Sequence, residues 1–384
     1  MSELRRAVRV ALPCSGLGRQ RRGFETFTRE VAQALRGDSR LQVTLYGGGG
    51  DVAPGERAVP NLPRTSKAAR VVGAVTRRGA YFVEQASFFA AFLPHLVMSR
   101  PDIIYFADLN FGNACWHWRR LTGQRFRLLY YNGGATTMPY TRCDLVQQVS
   151  PEHLDAALAR GEAAERMVLL PHGMAIPPLL APRDVAACAA VRRELGVGPG
   201  RSMLLSVGML DATVKRMDAL VDAVALLGDA RPHLVMLGER TGETPALVGR
   251  AREQLGEAVT VDTWPRARMA EVYAAADAFA LLSRREGFGL AYLEALAAGL
   301  PCVAHDTATT RFILGEHGWL GDTVSPETTA ALLRGALSAA GDEALRRERS
   351  GSARRRFSWE VLAPRYGEML RACADGTRPP WDGP

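Results

Sequence analysis

Short apolar runs alternate with stretches of helical period through most of the chain, and their spacing sets the expected elements. Runs at 7–13, 41–46, 102–107, 127–131, 145–149 and 167–170 predict strands, with helices expected at 24–35, 81–98, 113–122 and 151–159. Strands separated by helices pair in parallel and are covered on both faces. The run AIPPLLAPR at 175–183 cannot continue a helix and is expected to be a linker. Beyond it the alternation resumes, with strands at 203–207, 234–237, 259–262, 278–282 and 302–305 and helices at 217–227, 246–255, 268–276 and 290–298. A last helix is expected at 357–372, before a loose tail, GTRPPWDGP. The fold class read from this is α/β: two doubly wound, Rossmann-like domains, 1–178 and 179–357, whose strand ends face a central cleft, with 358–384 as a terminal segment.

The length of 384 residues agrees with this division, since a single core stops growing at roughly 250–300 residues. No apolar run approaches the roughly 20 residues that span a bilayer. The N-terminal apolar stretch is too short for a secretion signal, so a cytoplasmic chain is expected. The apolar stretch 81–98 has no basic face and contains Pro94; it is expected to pack inside the first domain, and membrane association is open to the chain without being indicated. Cys14, Cys115, Cys143, Cys188, Cys302 and Cys373 are scattered singly, which suggests neither a metal site nor a disulfide framework. The net charge of +8 is spread along the chain apart from short clusters at 19–22, 346–349 and 354–356, so no nucleic-acid partner is expected. Of the 48 basic residues only Lys67 and Lys215 are lysines, which marks both for attention.

The segment SRREGFGLAYLEALAAGLPCVAHD at 283–306 carries the most chemistry. A strand ends at Leu282, a loop presents Glu286, Gly287, Phe288 and Gly289, and a helix opens near Leu290 with Glu294 one turn in. The first amides of a helix lack intrahelical partners and sit at the positive end of its dipole, so a phosphate is expected there. Two carboxylates beside a phosphate make sense if the ligand bears hydroxyls on both sides of its phosphates. A nucleotide sugar has that shape, with Glu294 on the ribose and Glu286 on the transferred sugar.

In this segment the chain resembles the retaining glycosyltransferases of family 4, which have the two-domain GT-B fold. The pattern E-G-F-G-L-x-x-x-E-A-x-A-x-G-x-P-V-V-A is met by Glu286, Gly287, Phe288, Gly289, Leu290, Glu294, Ala295, Ala297, Gly299, Pro301, Val303 and Ala304. The resemblance extends back through Tyr273, Ala276 and Asp277 to SVGMLDATVKRMDALVDAVALL, and is weaker in the N-terminal half. It implies that the final helix, with Phe357, Ser358, Trp359 and Tyr366, returns to the first domain.

Departures from the family pattern accompany the match. Of the two cations that the resemblance implies at the diphosphate, Met209 stands in place of the arginine, while Lys215 is kept and is followed by Arg216 where glycine is frequent. Arg216 is expected to supply part of the missing charge, and Lys215 to offer a compact ammonium where a planar fork would not serve. In the first domain the glycine pair opening the first helix is reduced to Gly23, preceded by Arg22, with Arg19 and Arg21 nearby; Gly16 and Gly18 do not complete a dinucleotide fingerprint. The family's His-x-His is replaced by Tyr105 and Ala107, which leaves Asp108, Asn132 and Gly133 as the expected acceptor contacts, Asn-Gly-Gly being also a turn sequence. Trp264 falls in the loop that in relatives meets the base. His305 is expected to point into the cleft, and His172 to lie near the hinge.

The resemblance implies sugar transfer with retention from a nucleoside diphosphate sugar, a UDP- or GDP-sugar, to a hydroxyl acceptor such as a small natural product or cell-envelope glycan precursor. No metal or other cofactor is expected, because Lys215, Arg216 and the amides of 287–290 stand where a divalent ion would otherwise neutralise the diphosphate. Glu286 and Lys215 are the expected catalytic residues. The replaced arginine and histidine leave open a GT-B enzyme that forms no glycosidic bond, a nucleotide-sugar epimerase, or a non-catalytic nucleotide-sugar-binding protein.

Overall fold

The computed structural model describes residues 6–19, 23–49, 55–134 and 139–379. In chain order the first half runs β1 (Val8–Cys14), α1 (Gly23–Ala34), β2 (Leu41–Gly47), β3 (Glu56–Ala58), α2 (Lys67–Val75), α3 (Gly79–Ser99), β4 (Ile103–Phe106), α4 (Leu109–Thr122), β5 (Arg127–Asn132), β6 (Leu145–Gln148), α5 (Pro151–Ala159) and β7 (Met167–Leu169). The second half continues with α6 (Val185–Glu194), β8 (Met203–Val207), α7 (Met217–Ala225), β9 (His233–Leu237), α8 (Thr244–Leu255), β10 (Val259–Asp262), α9 (Met269–Ala275), β11 (Ala278–Leu281), α10 (Leu290–Ala297), β12 (Cys302–His305), α11 (Ala308–Leu314), β13 (Gly318–Gly321), α12 (Pro326–Ser338), α13 (Glu343–Phe357) and α14 (Trp359–Asp375).

The chain divides into two compact units, Met1–Ala175 with Phe357–Pro384, and Ile176–Arg356. Each holds one sheet, ordered β3-β2-β1-β4-β5-β6-β7 in the first and β10-β9-β8-β11-β12-β13 in the second. The named strand pairs are all parallel, as alternation with helices requires. Central strands carry the most buried apolar runs: β8 holds Met203, Leu204 and Leu205, and β11 runs AFAL, both inaccessible to water. The strand order reverses between β1 and β4 and between β8 and β11. Loops leaving the carboxyl ends of such a pair diverge to opposite faces of the sheet and open a crevice, the usual ligand position in doubly wound folds.

Several elements differ from the sequence reading. Helix α4 starts at Leu109 instead of 113, because Asp108 caps it, accepting from the amides of Asn110 (2.9 Å) and Phe111 (3.3 Å). The helix expected at 357–372 is α14, which begins only at Trp359, after Ser358, whose extended backbone (φ −68°, ψ 149°) separates it from α13. Strands β3 and β13 and helices α2, α6, α11, α12 and α13 were not foreseen. The α13 sequence, EALRRERSGSARRRF, has no hydrophobic stripe: it buries Arg346 and Arg349, the latter reaching the Gly299 carbonyl and lying 5.5 Å from the Trp319 ring centre.

Helix α14 belongs to the first unit. Buried Tyr366 donates to the Pro171 carbonyl (2.8 Å) and accepts from Gln147 Nε2 (2.9 Å), Arg371 pairs with Asp38 (2.6 Å), and Trp359 Nε1 donates to Glu30. Among the described residues no helix is long and apolar enough to cross a membrane.

Near the carboxyl end of β1 lies a buried polar network. Ser15 Oγ donates to Glu84 (3.1 Å) and accepts from Gln85 (2.6 Å), and Arg64 meets both Glu84 oxygens through Nε (3.0 Å) and Nη2 (2.6 Å). Burial opposes ionisation of Glu84, but the Arg64 hydrogen bonds and charge outweigh it, so the carboxyl titrates below its ordinary value of 4.5. A carboxyl depressed on folding stabilises the protein above its ordinary range, and that contribution is lost as pH falls through the folded value. Replacing Arg64 by Met strands a buried carboxylate and should cost about 3 kcal/mol at neutral pH. Urea unfolding of Arg64→Met should show this deficit shrinking as pH is lowered through the carboxylate range; a deficit independent of pH would contradict the assignment.

Candidate active site

Both loops at the second switch point carry the expected residues. After β8 the chain runs Gly208, Met209 and Leu210 to buried Asp211, whose Oδ1 accepts from the amides of Val214 and Lys215, both at 2.7 Å. This turn aims Lys215 back along the loop, its stem passing 3.2 Å from where a Cβ on Gly208 would stand. A Cβ on Gly238 would lie 1.6 Å from the Gly208 carbonyl oxygen, so the two loops can approach this closely only with glycine. Met209, where the resemblance implies an arginine, is 39% exposed.

After β11 the chain passes buried Leu282 and Ser283 to Glu286, and Gly289 opens α10 with φ +91° and no side-chain cap. That conformation is open to glycine and costly for other residues. The amides of the first turn of α10 are therefore uncapped by any side chain, at the positive end of the helix. Lys215 Nζ and Glu286 Oε1 meet at 2.6 Å, with side chains only 17% and 11% exposed, which joins the two loops across the switch point. The expected pair is thus brought together, and Lys215 is bonded to a carboxylate.

Arg216 adopts a left-handed backbone (φ +54°) at the start of α7. This explains why glycine suits the position, and the arginine stores on the order of 1 kcal/mol of strain. Its Nη1 reaches the Leu282 carbonyl and Thr323 Oγ1, both at 3.4 Å. Thr323 in turn touches His305 Nδ1 (3.2 Å), so His305 ends β12 as part of this group. Ser283 Oγ is buried with no hydrogen-bond partner among the described residues.

Glu294, inside α10, accepts from Arg266 Nη2 and from Tyr273 Oη, both at 2.8 Å. Burial, and then the Glu294 charge, push the Tyr273 hydroxyl well above its ordinary value, so it stays a donor. Trp264 lies under the Arg268 guanidinium, 4.4 Å from the ring centre, and Arg268 is held by Glu194 (2.8 and 2.9 Å) and Glu271 (3.1 Å). Sequence reasoning missed Asp211, Arg266 and Thr323. The spacing Asp-x-x-Val-Lys before a helix is a turn signal that could have disclosed the first; the other two lie in loops remote in sequence.

In the first unit Gly23 begins α1, while Arg21 and Arg22 lie outside the described residues. Buried Glu25 stands against Gly16, where a Cβ would meet its Oε1 at 2.4 Å. Asp108 caps α4 through Oδ1 and accepts from Tyr81 Oη through Oδ2, so both oxygens already have partners. Burial raises its carboxyl above the ordinary value. Asn132 ends β5, its Nδ2 donating to Tyr140 (3.0 Å) and Gln148 (2.7 Å), while its buried Oδ1 has no partner among the described residues. Gly133 is required there because a Cβ would fall 2.1 Å from the Tyr131 ring. Tyr105 is buried and donates to Gln147, and His172 is buried with Nδ1 at 2.8 Å from the Gly173 carbonyl oxygen.

Residues 201–339 match the family described as glycosyl transferases group 1, a span that contains Lys215, Trp264, Glu286 and Glu294. The chain is 36% identical over 199 residues to a D-inositol 3-phosphate glycosyltransferase of Segniliparus rotundus, covering 49% of this chain and 44% of the relative. It is 31% identical over 245 residues to the protein of that name in Xylanimonas cellulosilytica, covering 61% and 57%. The chain spans about half the length of the curated relatives it matches. Among solved structures it is similar to sucrose-phosphate synthase from Thermosynechococcus elongatus (TM-score 0.76, 21% identity, 96% of this chain and 100% of that one). It is also similar to Anabaena Alr3699/HepE in complex with UDP-glucose (TM-score 0.73, 17% identity, 95% and 99%). Residues 201–339 thus match the glycosyl transferases group 1 family, in a chain whose two parallel-sheet units have the GT-B fold of the solved structures it resembles.

Proposed function

We propose that this protein transfers a sugar, with retention of anomeric configuration, from a nucleoside diphosphate sugar to a hydroxyl acceptor. The observation that carries the reading is the Lys215–Glu286 pair at 2.6 Å, set at a switch point beside the uncapped start of α10. A structural neighbour bound to UDP-glucose supports a UDP-sugar as donor.

Breaking the anomeric C–O bond puts negative charge on the departing diphosphate and positive charge on the ring. A diphosphate brought to the amides at the start of α10 competes with Glu286 for the Lys215 ammonium. Lys215 then meets the phosphate charge, and Glu286 is released to accept from hydroxyls of the sugar and to stabilise its developing positive charge. Fixed donors of this kind contribute roughly 3–4 kcal/mol each to the transition state. Arg216 supplies further positive charge beside the Leu282 carbonyl. On this reading no divalent ion is needed, and the acceptor proton passes to the leaving diphosphate oxygen. Glu294 takes the ribose hydroxyls by exchanging its bond to Arg266, and Trp264 offers the base a flat apolar face. Asn132 Oδ1, with Gly133 beside it, is the proposed acceptor contact; Asp108 is held by its cap.

A second reading is a protein that binds a nucleotide sugar without glycosyl transfer, favoured by Tyr105, which stands where the family resemblance implies a histidine and is bonded to Gln147. Incubation with UDP-, GDP- and dTDP-sugars, followed by nucleotide release and product analysis, separates the two. Release with a glycosylated product supports transfer, and binding without release supports the second reading.

Lys215→Ala should lower kcat/KM for the donor by about 10²- to 10³-fold. Lys215→Arg should not restore it, because the fork cannot replace a compact ammonium threaded past Gly208. Glu286→Gln should abolish turnover while nucleoside diphosphate still binds; unchanged steady-state rates in either variant would remove that residue from the mechanism. A nucleoside diphosphate at 100 times its Kd adds about 2.7 kcal/mol of stability. In thermal-shift measurements Glu294→Gln should lose much of the shift given by UDP or GDP, whereas an undiminished shift would place the ribose elsewhere.

A further inference from the structure

Helix α2 turns its apolar residues outward. A surface helix ordinarily directs its apolar stripe into the core, but the residues that α2 buries are Ala69 and Gly73, packed so tightly on the start of α3 that a Cβ on Gly73 would lie 2.6 Å from the Gly79 carbonyl carbon. At 3.6 residues per turn, Val71 and Val75 fall on the side opposite this seam. They are 62% and 79% exposed, and neighbouring Val72 is 42% exposed. Lys67, Arg70, Arg77 and Arg78 flank them in sequence, all exposed, and no acidic residue occurs between Glu56 and Glu84. Glu84, the next acidic residue along the chain, is buried and already paired with Arg64.

We infer that α2 is a docking face for a bilayer carrying anionic phospholipids, against which the valines enter the interface while the surrounding cations meet headgroup phosphates. Charge and apolarity together select this occupant. A second copy of the same face would set cation against cation, and a nucleic acid would satisfy the cations while leaving the valines in water. The helix would lie on the membrane without crossing it. This inference is independent of the sugar-transfer reading, since it uses no residue of that site.

The test is flotation of the full chain with vesicles of phosphatidylcholine alone or of equal parts phosphatidylcholine and phosphatidylglycerol. Binding is expected to the mixed vesicles and not to the neutral ones. Val71→Ser with Val75→Ser should abolish most of it without changing thermal unfolding, because both positions are exposed. Lys67→Gln, Arg70→Gln and Arg77→Gln together should weaken it by roughly a hundredfold, each cation near an anionic surface contributing about fivefold. The inference is overturned if the wild-type chain stays unbound with mixed vesicles, if the serine variant floats equally well, or if the valines prove to mediate self-association in vesicle-free sedimentation.

Discussion

The ion pair between Lys215 and Glu286 is the constraint around which the second unit is arranged. Two opposite charges, each largely withdrawn from water, are stable only in close contact, and their contact ties the loop after β8 to the loop after β11. Nearby features serve this meeting. Asp211 shapes the turn that aims the lysine, Gly208 clears a track for its stem, and Gly238 admits the Gly208 backbone. Gly289 turns the chain into α10 so that its amides stand uncapped. Such a pair is also poised for exchange, since an incoming diphosphate offers the ammonium more negative charge than one carboxylate does.

A similar arrangement surrounds Glu294. Its two oxygens are occupied by a guanidinium and a phenol, one more than half exposed and the other buried. The phenol fixes the carboxylate on the helix, while the arginine, reaching in from the loop after β10, is the partner that a hydroxyl-bearing ligand can displace at little cost. The first unit has its own buried charge in Glu84, but there the balancing arginine is also bonded through its backbone amide, which makes the group a fixture of the fold.

Much of this was legible in the sequence. The alternation of short apolar runs and helical stretches foretold two parallel sheets, and the segment around Glu286 and Glu294, with the rarity of lysine at 215, pointed to a lysine and a glutamate that the fold brings into contact. What stayed hidden was hidden for physical reasons. Helix α13 buries arginines that bond to backbone carbonyls, which hydrophobic periodicity does not register. Helix α2 packs through alanine and glycine and so carries no inward stripe. The capping role of Asp108 stayed hidden because a cap and a binding carboxylate are the same residue type at the end of a strand. Arg266 and Thr323 join the site across 28 and 107 residues of sequence, beyond the reach of any local pattern.

The scarcity of lysine gives direct access to the central pair. With lysine side chains labelled with ¹⁵N, the chain contains two labelled ammonium groups, those of Lys67 and Lys215, and a Lys67→Arg variant assigns them. On titration with UDP or GDP the Lys215 resonance should move as its partner changes from carboxylate to phosphate, while that of Lys67 stays in place. A Lys215 resonance that does not respond at saturating nucleotide would show that the diphosphate is held elsewhere, and that the pair with Glu286 is only structural.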